Sequence, residues 1–143
     1  MVWMSSELPV SAETVAELVA KPALMRYVLW PIITFTDLPE HYDVEDDVTV
    51  GLRLMGVLPL WNHTIRVVRL DREARVAVTE EHGGPVRMWR HHVSVEALDD
   101  RRCRYTDSVE IDAGALSGPT RLIARGLYAY RHRRWTTLAT VLG

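Results

Sequence analysis

The chain has 143 residues, 48% hydrophobic and 25% charged, with a formal net charge of −2. That length supports one domain, residues 1–143, with a core that needs no disulfide or metal, and the charge gives no global attraction to nucleic acid or an anionic membrane. The single Cys103 excludes an intramolecular disulfide and a cysteine-rich metal site, and points to a reducing, cytoplasmic setting.

Residues 1–8 lack the basic stretch and apolar run of a signal peptide. No segment approaches the roughly 18 consecutive apolar residues of a spanning helix. Residues 2–8 read as a first strand, stopped by Pro9. Ser11 has the character of an N-cap, with Val15, Leu18 and Val19 as the apolar stripe of the helix behind it. Lys21-Pro22 breaks that helix, and Pro22 suits the first turn of a second one over 23–30, which Pro31 ends. Residues 32–38 are rich in β-formers, and 39–47 form an acidic loop with Glu40, Asp43, Glu45, Asp46 and Asp47.

Alternation then takes over. Val48, Val50, Leu52 and Leu54 share one face of a strand. Further strands are expected over 60–70, 74–81, 86–98 and 103–111, separated by polar or glycine-rich turns. Over 60–70 two faces compete, because Ile65 and Val67 alternate out of phase with Val68 and Leu70. A long helix follows Gly118-Pro119, with Leu116, Ile123, Leu127, Tyr130, Leu138 and Val141 expected to face the sheet. Gly126 sits inside it, where glycine costs roughly 1 kcal/mol relative to alanine, so a ligand-lined gap or a close neighbour is expected there.

The last hairpin has a readable register. A loop at Asp99, Asp100 and Arg101 pairs Leu98 with Arg102. It sets Ala97 opposite Cys103, Val95 opposite Tyr105, Val93 opposite Asp107, His91 opposite Val109 and Trp89 opposite Ile111. A slip of one residue would mix the faces. The apolar face then carries two polar groups, Asp107 and His91. An unpaired buried carboxylate costs roughly several kcal/mol. His91 lies a diagonal step away, about 7–8 Å between backbones, which side chains bridge.

The order of elements, with Leu8-Pro9-Val10-Ser11-Ala12-Glu13-Thr14-Val15, Tyr105-Thr106-Asp107-Ser108-Val109-Glu110 and Tyr130-Arg131-His132-Arg133-Arg134-Trp135, resembles the START-like or helix-grip superfamily, also called SRPBCC or polyketide cyclase/dehydrase-like. The resemblance spans essentially the whole chain and is strongest to an uncharacterised bacterial ligand-binding subgroup. It implies an α+β fold: a seven-stranded antiparallel sheet wrapped around a long C-terminal helix, with two short helices after the first strand. It also implies a cavity between sheet and helix that holds a hydrophobic or aromatic small molecule, and no metal or organic cofactor. No catalytic residue transfers from it.

On that frame, Trp61, Trp89, Val93, Val95, Tyr105, Val109, Ile123, Leu127 and Tyr130 are the expected ligand-binding walls, since aromatic surfaces with few polar groups characterise such pockets. The same residues also serve as ordinary core. His91 and Asp107 are the catalytic candidates, an acid–base pair for a cyclase or dehydratase; the plainer reading is a satisfied core pair that sets register. His63 falls opposite Glu81 in a hairpin closed at 71–73, but two ligands do not make a zinc site. The basic run 131–135 reads as helix-end cations facing the macrodipole, with the acidic loop as counterpart. The expected partner is a hydrophobic ligand or substrate; a homodimer stays open, and a filled core with a purely structural role is the third reading.

Overall fold

In the computed structural model, which describes residues 1–41, 44 and 47–142, strand β1 (Val2–Leu8) leads into two short helices. Helix α1 (Ala12–Val19) starts where expected: the Ser11 hydroxyl accepts the Thr14 amide at 3.3 Å, satisfying one of the free first-turn donors. Helix α2 (Pro22–Leu29) begins on proline, whose missing N–H is no loss at that position. It ends as Trp30 turns extended ahead of Pro31. Strands β2 (Ile33–Thr36), β3 (Asp47–Leu54), β4 (Leu58–Asp71), β5 (Val76–Gly83), β6 (Val86–Asp99) and β7 (Arg102–Asp112) follow. A single 3-10 turn, Gly114–Leu116, then leads into α3 (Ser117–Leu142).

The described strands form one seven-stranded antiparallel sheet in the order β1-β7-β6-β5-β4-β3-β2, with two short helices early and α3 lying along β1 and β7. This is the helix-grip α+β architecture. The acidic residues Asp43, Glu45 and Asp46 lie outside the described residues, so their pairing with the basic run does too. No described helix is long and apolar enough to cross a membrane.

The β6–β7 register is the expected one from Trp89↔Ile111 to Ala97↔Cys103. Only the turn differs: Asp99, not Leu98, pairs with Arg102, and a bulge at Leu98 absorbs the extra residue. A bulge also resolves β4. Ile65 and Val67 are buried, the ladder slips between Val67 and Arg69, and Leu70 then pairs with Ala77, itself opposite Val93. Both competing phases therefore reach the same face, one on each side of the slip.

Among the described residues the core has two apolar clusters. One joins Leu8, Val15, Leu24 and Val28 to Val93, Val95, Cys103, Tyr105, Trp135 and Ala139 beneath α1 and α2. The other joins Val2, Val109, Ile111, Ala124 and Tyr128, with Met4 and Trp89 against it. Burying side chains of this size contributes roughly 1.5–3 kcal/mol each.

The face of α3 corrects the sequence expectation. Leu116, Ile123 and Val141 are 53%, 65% and 78% exposed, while Ala124, Tyr128, Arg131, His132, Trp135 and Ala139 are buried. The reason is chemical: the inward face carries alanines, two aromatic rings, an arginine and a histidine, so counting large aliphatics selects the wrong side. Gly126 is open, with nothing within 4 Å of the position a Cβ would take, so no close neighbour accounts for it.

Candidate functional site

The site is built around one carboxylate. Alternation on β7 points Tyr105, Asp107 and Val109 to the concave side, and Asp107 falls between the two apolar clusters with 1% of its surface exposed. Four donors converge on it. His91 Nε2–H, from β6, reaches Oδ1 at 2.5 Å, and the Tyr105 hydroxyl donates to the same oxygen at 3.0 Å. From α3, His132 Nε2–H donates to Oδ2 at 2.9 Å, and Arg131 Nε lies 3.3 Å from that oxygen. Arg131 also donates twice to the Tyr105 oxygen, at 3.0 and 2.7 Å. Arg131 supplies the cation that faces this carboxylate.

These contacts set the protonation. Burial alone would raise the Asp107 carboxyl. The Arg131 cation, His91 and the donated hydrogen bonds outweigh it and hold the group well below the ordinary carboxylate range. Burial pushes the Tyr105 and Tyr128 hydroxyls up, so both stay neutral. The expected His91–Asp107 pair therefore exists, within a larger cluster.

Beside it lies a second pair. Burial opposes ionisation of Glu81, but His63 Nε2–H donates to it at 3.0 Å and Thr79 at 2.6 Å, and with the nearby His91 they hold its carboxyl below the ordinary value. The register is not the direct one expected: Glu81 sits opposite Ile65, so His63 reaches it diagonally. Trp61 donates its indole N–H to His63 at 3.2 Å. Close approach of the Trp61 ring requires glycine at 83 and 84, where a Cβ would lie 2.9 and 2.6 Å from its atoms.

The expected wall residues separate into three groups. Val93, Val95, Tyr105 and Val109 are buried and packed. Trp61, Trp89, Leu127 and Tyr130 are half-buried, and Tyr130 donates its hydroxyl to the Trp30 carbonyl. Ile123 is exposed. Tyr128, which the aromatic pattern of the sequence also places near the expected cavity though not among its walls, takes a central place: its ring stacks on Trp89 at 6.2 Å and meets the His91 edge at 5.3 Å. Arg131 and His132, read from the sequence as part of a basic run, were missed as members of this cluster. They are buried partners of Asp107, and α3 runs on to Leu142, so they are not helix-end cations. The need of Asp107 for a cation, with Arg131 at helical spacing from Tyr128 and Trp135, was the available signal.

An enclosed chamber of ligand size does not appear among the described residues between sheet and α3. Tyr105 and Trp135, ring centroids 5.0 Å apart, fill that interior. A recess lined by Val19, Leu70, Ala77 and Val95 holds about 10 Å³, room for little more than a water. An open groove of about 320 Å³ runs beside Ser6, His132, Arg133, Thr136 and Thr137.

Residues 6–138 match the family model described as Domain of unknown function (DUF8410). A search of curated proteins finds no match. Among solved structures, XoxI from Bacillus cereus is 14% identical, covering 99% of this chain and 96% of its own, with a TM-score of 0.75. A START superfamily protein from Mycobacterium smegmatis is 15% identical (99% and 98% covered, TM-score 0.70). Norcoclaurine synthase from Thalictrum flavum, in complex with dopamine and hydroxybenzaldehyde, is 14% identical (97% and 85% covered, TM-score 0.70). At these identities the likeness establishes a START-like fold.

Proposed function

The chain belongs to the family described as Domain of unknown function (DUF8410), and on that footing we propose that it binds a small amphipathic molecule on the concave sheet face, at the end where α3 begins. Antiparallel pairing brings four features to that end: the β3–β4 turn, the β5–β6 turn, the end of β7 and the first turns of α3. Trp61, Trp89 and Leu127 are half-buried there, and Leu54, Met55, Leu58, Leu122 and Ile123 are exposed at the rim.

The observation that carries the reading is His91. Its Nε2–H is committed to Asp107, which fixes the tautomer and leaves Nδ1 as an acceptor with no hydrogen bond from a described residue. It lies against Tyr128, whose ring stacks on Trp89, so an aromatic body with one donor suits the place. The aromatic compounds bound by norcoclaurine synthase on a similar fold are consistent with this.

The test is titration with 8-anilinonaphthalene-1-sulfonate and with small phenols, followed by backbone amide shifts. Saturable binding that moves residues 61, 89, 91 and 128, weakened by His91→Phe for the phenols, is expected. Shifts confined to another surface, or no saturation, end the proposal.

A second reading makes His91 the proton carrier of a cyclase or dehydratase, with Asp107 orienting it through the Nε2–H bond. Asp107 is, however, already neutralised by Arg131 and shared with His132, which reduces what it adds to the basicity of His91. Turnover lost in His91→Gln with binding retained would favour the enzyme.

A further inference from the structure

We propose that Ser6, His132 and Asp107 form a nucleophilic relay that hydrolyses small carboxylic esters in the open groove between β1 and α3. The relay is linear. His132 Nε2–H donates to Asp107 Oδ2 at 2.9 Å, which fixes the tautomer with Nδ1 unprotonated. The Ser6 hydroxyl then donates to that Nδ1 at 2.7 Å. A serine on a base whose tautomer a buried carboxylate fixes is the arrangement that activates a hydroxyl; with the Asp107 charge balanced by Arg131, the carboxylate orients His132 rather than raising its basicity. The roles of the two ring nitrogens are exchanged relative to the usual serine hydrolase triad, but the order of hydroxyl, imidazole and carboxylate is the same.

Position distinguishes this from a core hydrogen bond. Asp107 and His132 are 1% and 4% exposed, whereas Ser6 is only half-buried and lines the groove of about 320 Å³. β1 is an edge strand, so one side of its backbone is unpaired by the sheet. The exposed Arg133 lines the same groove and is the cation available to a developing oxyanion or an anionic acyl group. This site is distinct from the proposed aromatic one: Asp107 turns Oδ1 to His91 and Oδ2 to His132.

The chemistry balances with water as the second reactant. Ser6 Oγ bonds to the ester carbonyl carbon while its proton passes to His132 Nδ1. The tetrahedral adduct collapses, the ester C–O bond breaks, and the alkoxide leaves as alcohol with that proton. Water, deprotonated in turn by His132, attacks the acyl-serine and releases the carboxylic acid and the free hydroxyl.

The experiment uses the full chain with a fluorophosphonate probe, which exchanges its P–F bond for a Ser–O–P bond and releases fluoride, and with p-nitrophenyl acetate. One adduct is expected, mapping to Ser6, absent after denaturation and retained in Ser5→Ala. Ser6→Ala removes only a hydroxyl; it should lose the adduct and return ester turnover to the uncatalysed rate. His132→Gln should lower turnover by about 100-fold or more. If His132→Gln fails to fold, Ser6→Ala and the adduct map decide. No adduct at Ser6, labelling undiminished in folded His132→Gln, or turnover retained in Ser6→Ala overturns the proposal.

Discussion

Replacing Asp107 with asparagine tests the central contact set. The carboxylate receives His91, Tyr105, His132 and Arg131 within 3.3 Å. Asparagine keeps the shape, removes the charge, and turns an N–H₂ toward groups that are themselves donors. Arg131, 7% exposed, keeps the Tyr105 oxygen and the faces of the Tyr105 and Tyr128 rings but loses its anion. Breaking a buried ion pair from one side costs about 3–5 kcal/mol, because the remaining charge is uncompensated. At a urea slope of roughly 2 kcal/mol/M, the midpoint falls by about 1.5–2.5 M. Tryptophan fluorescence reports it, since Trp135 is buried against Tyr105. Adding Arg131→Met removes the stranded cation and should recover at least roughly 1 kcal/mol, a non-additivity expected only of coupled partners. The pH dependence follows the same sign. The folded Asp107 carboxyl lies below its ordinary 3.8, so the unfolded chain takes up the proton first. The stabilisation is full above the unfolded value and is lost as pH falls toward the folded one. Asp107→Asn should lack that acid-side slope. A loss under about 1 kcal/mol, or strictly additive single mutants, refutes the reasoning.

Two further predictions concern residues outside the cluster. Cys103 is fully buried and burial pushes its thiol up to about 11. The native protein should therefore ignore Ellman's reagent at pH 8 and react with one equivalent in urea; rapid native labelling would contradict this. Gly83→Ala would place a methyl 2.5 Å from the Asn62 carbonyl and 2.9 Å from the His63 Cα, both backbone atoms that cannot step aside. A loss of about 1–3 kcal/mol is expected by chemical denaturation, with altered fluorescence from Trp61, and no loss would mean that β4 and β5 separate readily there.

How much was legible depended on what each pattern measures. The β6–β7 register followed from two strands that agreed on one apolar face, and from Ala97 to Trp89 every pairing is as expected. On β4 the competing phases were both real, because a bulge between Val67 and Arg69 reverses the alternation midway, and a pattern with a fixed period of two has no place for it. On α3 the reasoning failed at particular residues. Leu116, Ile123 and Val141 weigh heavily in any apolar stripe, yet they face solvent. The true inward face runs through Ala124, Tyr128, Arg131, Trp135 and Ala139, at equally good helical spacing. Half of the polar site was hidden for that reason: His91 and Asp107 stand out on strands, while Arg131 and His132 look like surface charge until their helix is docked.

That inversion bears on function. A helix with apolar residues outside and an arginine inside is penalised twice, by unburied aliphatic surface and by desolvated charge. Here the polar layer also falls between two apolar clusters, with Tyr105 in one, Val109 in the other, and Asp107 between them on the same strand face. A packed leucine or phenylalanine at 107 with an aliphatic at 131 would join the clusters into one core at lower desolvation cost. Local rules are most often broken where a chain has something other than stability to satisfy. The two groups that Asp107 orients each leave one nitrogen facing away from it. His91 Nδ1 accepts from no described residue, and His132 Nδ1 accepts from a serine beside an open groove. A core pair that only set strand register would need one histidine and no groove. Two imidazoles on opposite sides of one carboxylate, each with a nitrogen turned away from it, are the geometry on which both proposals rest.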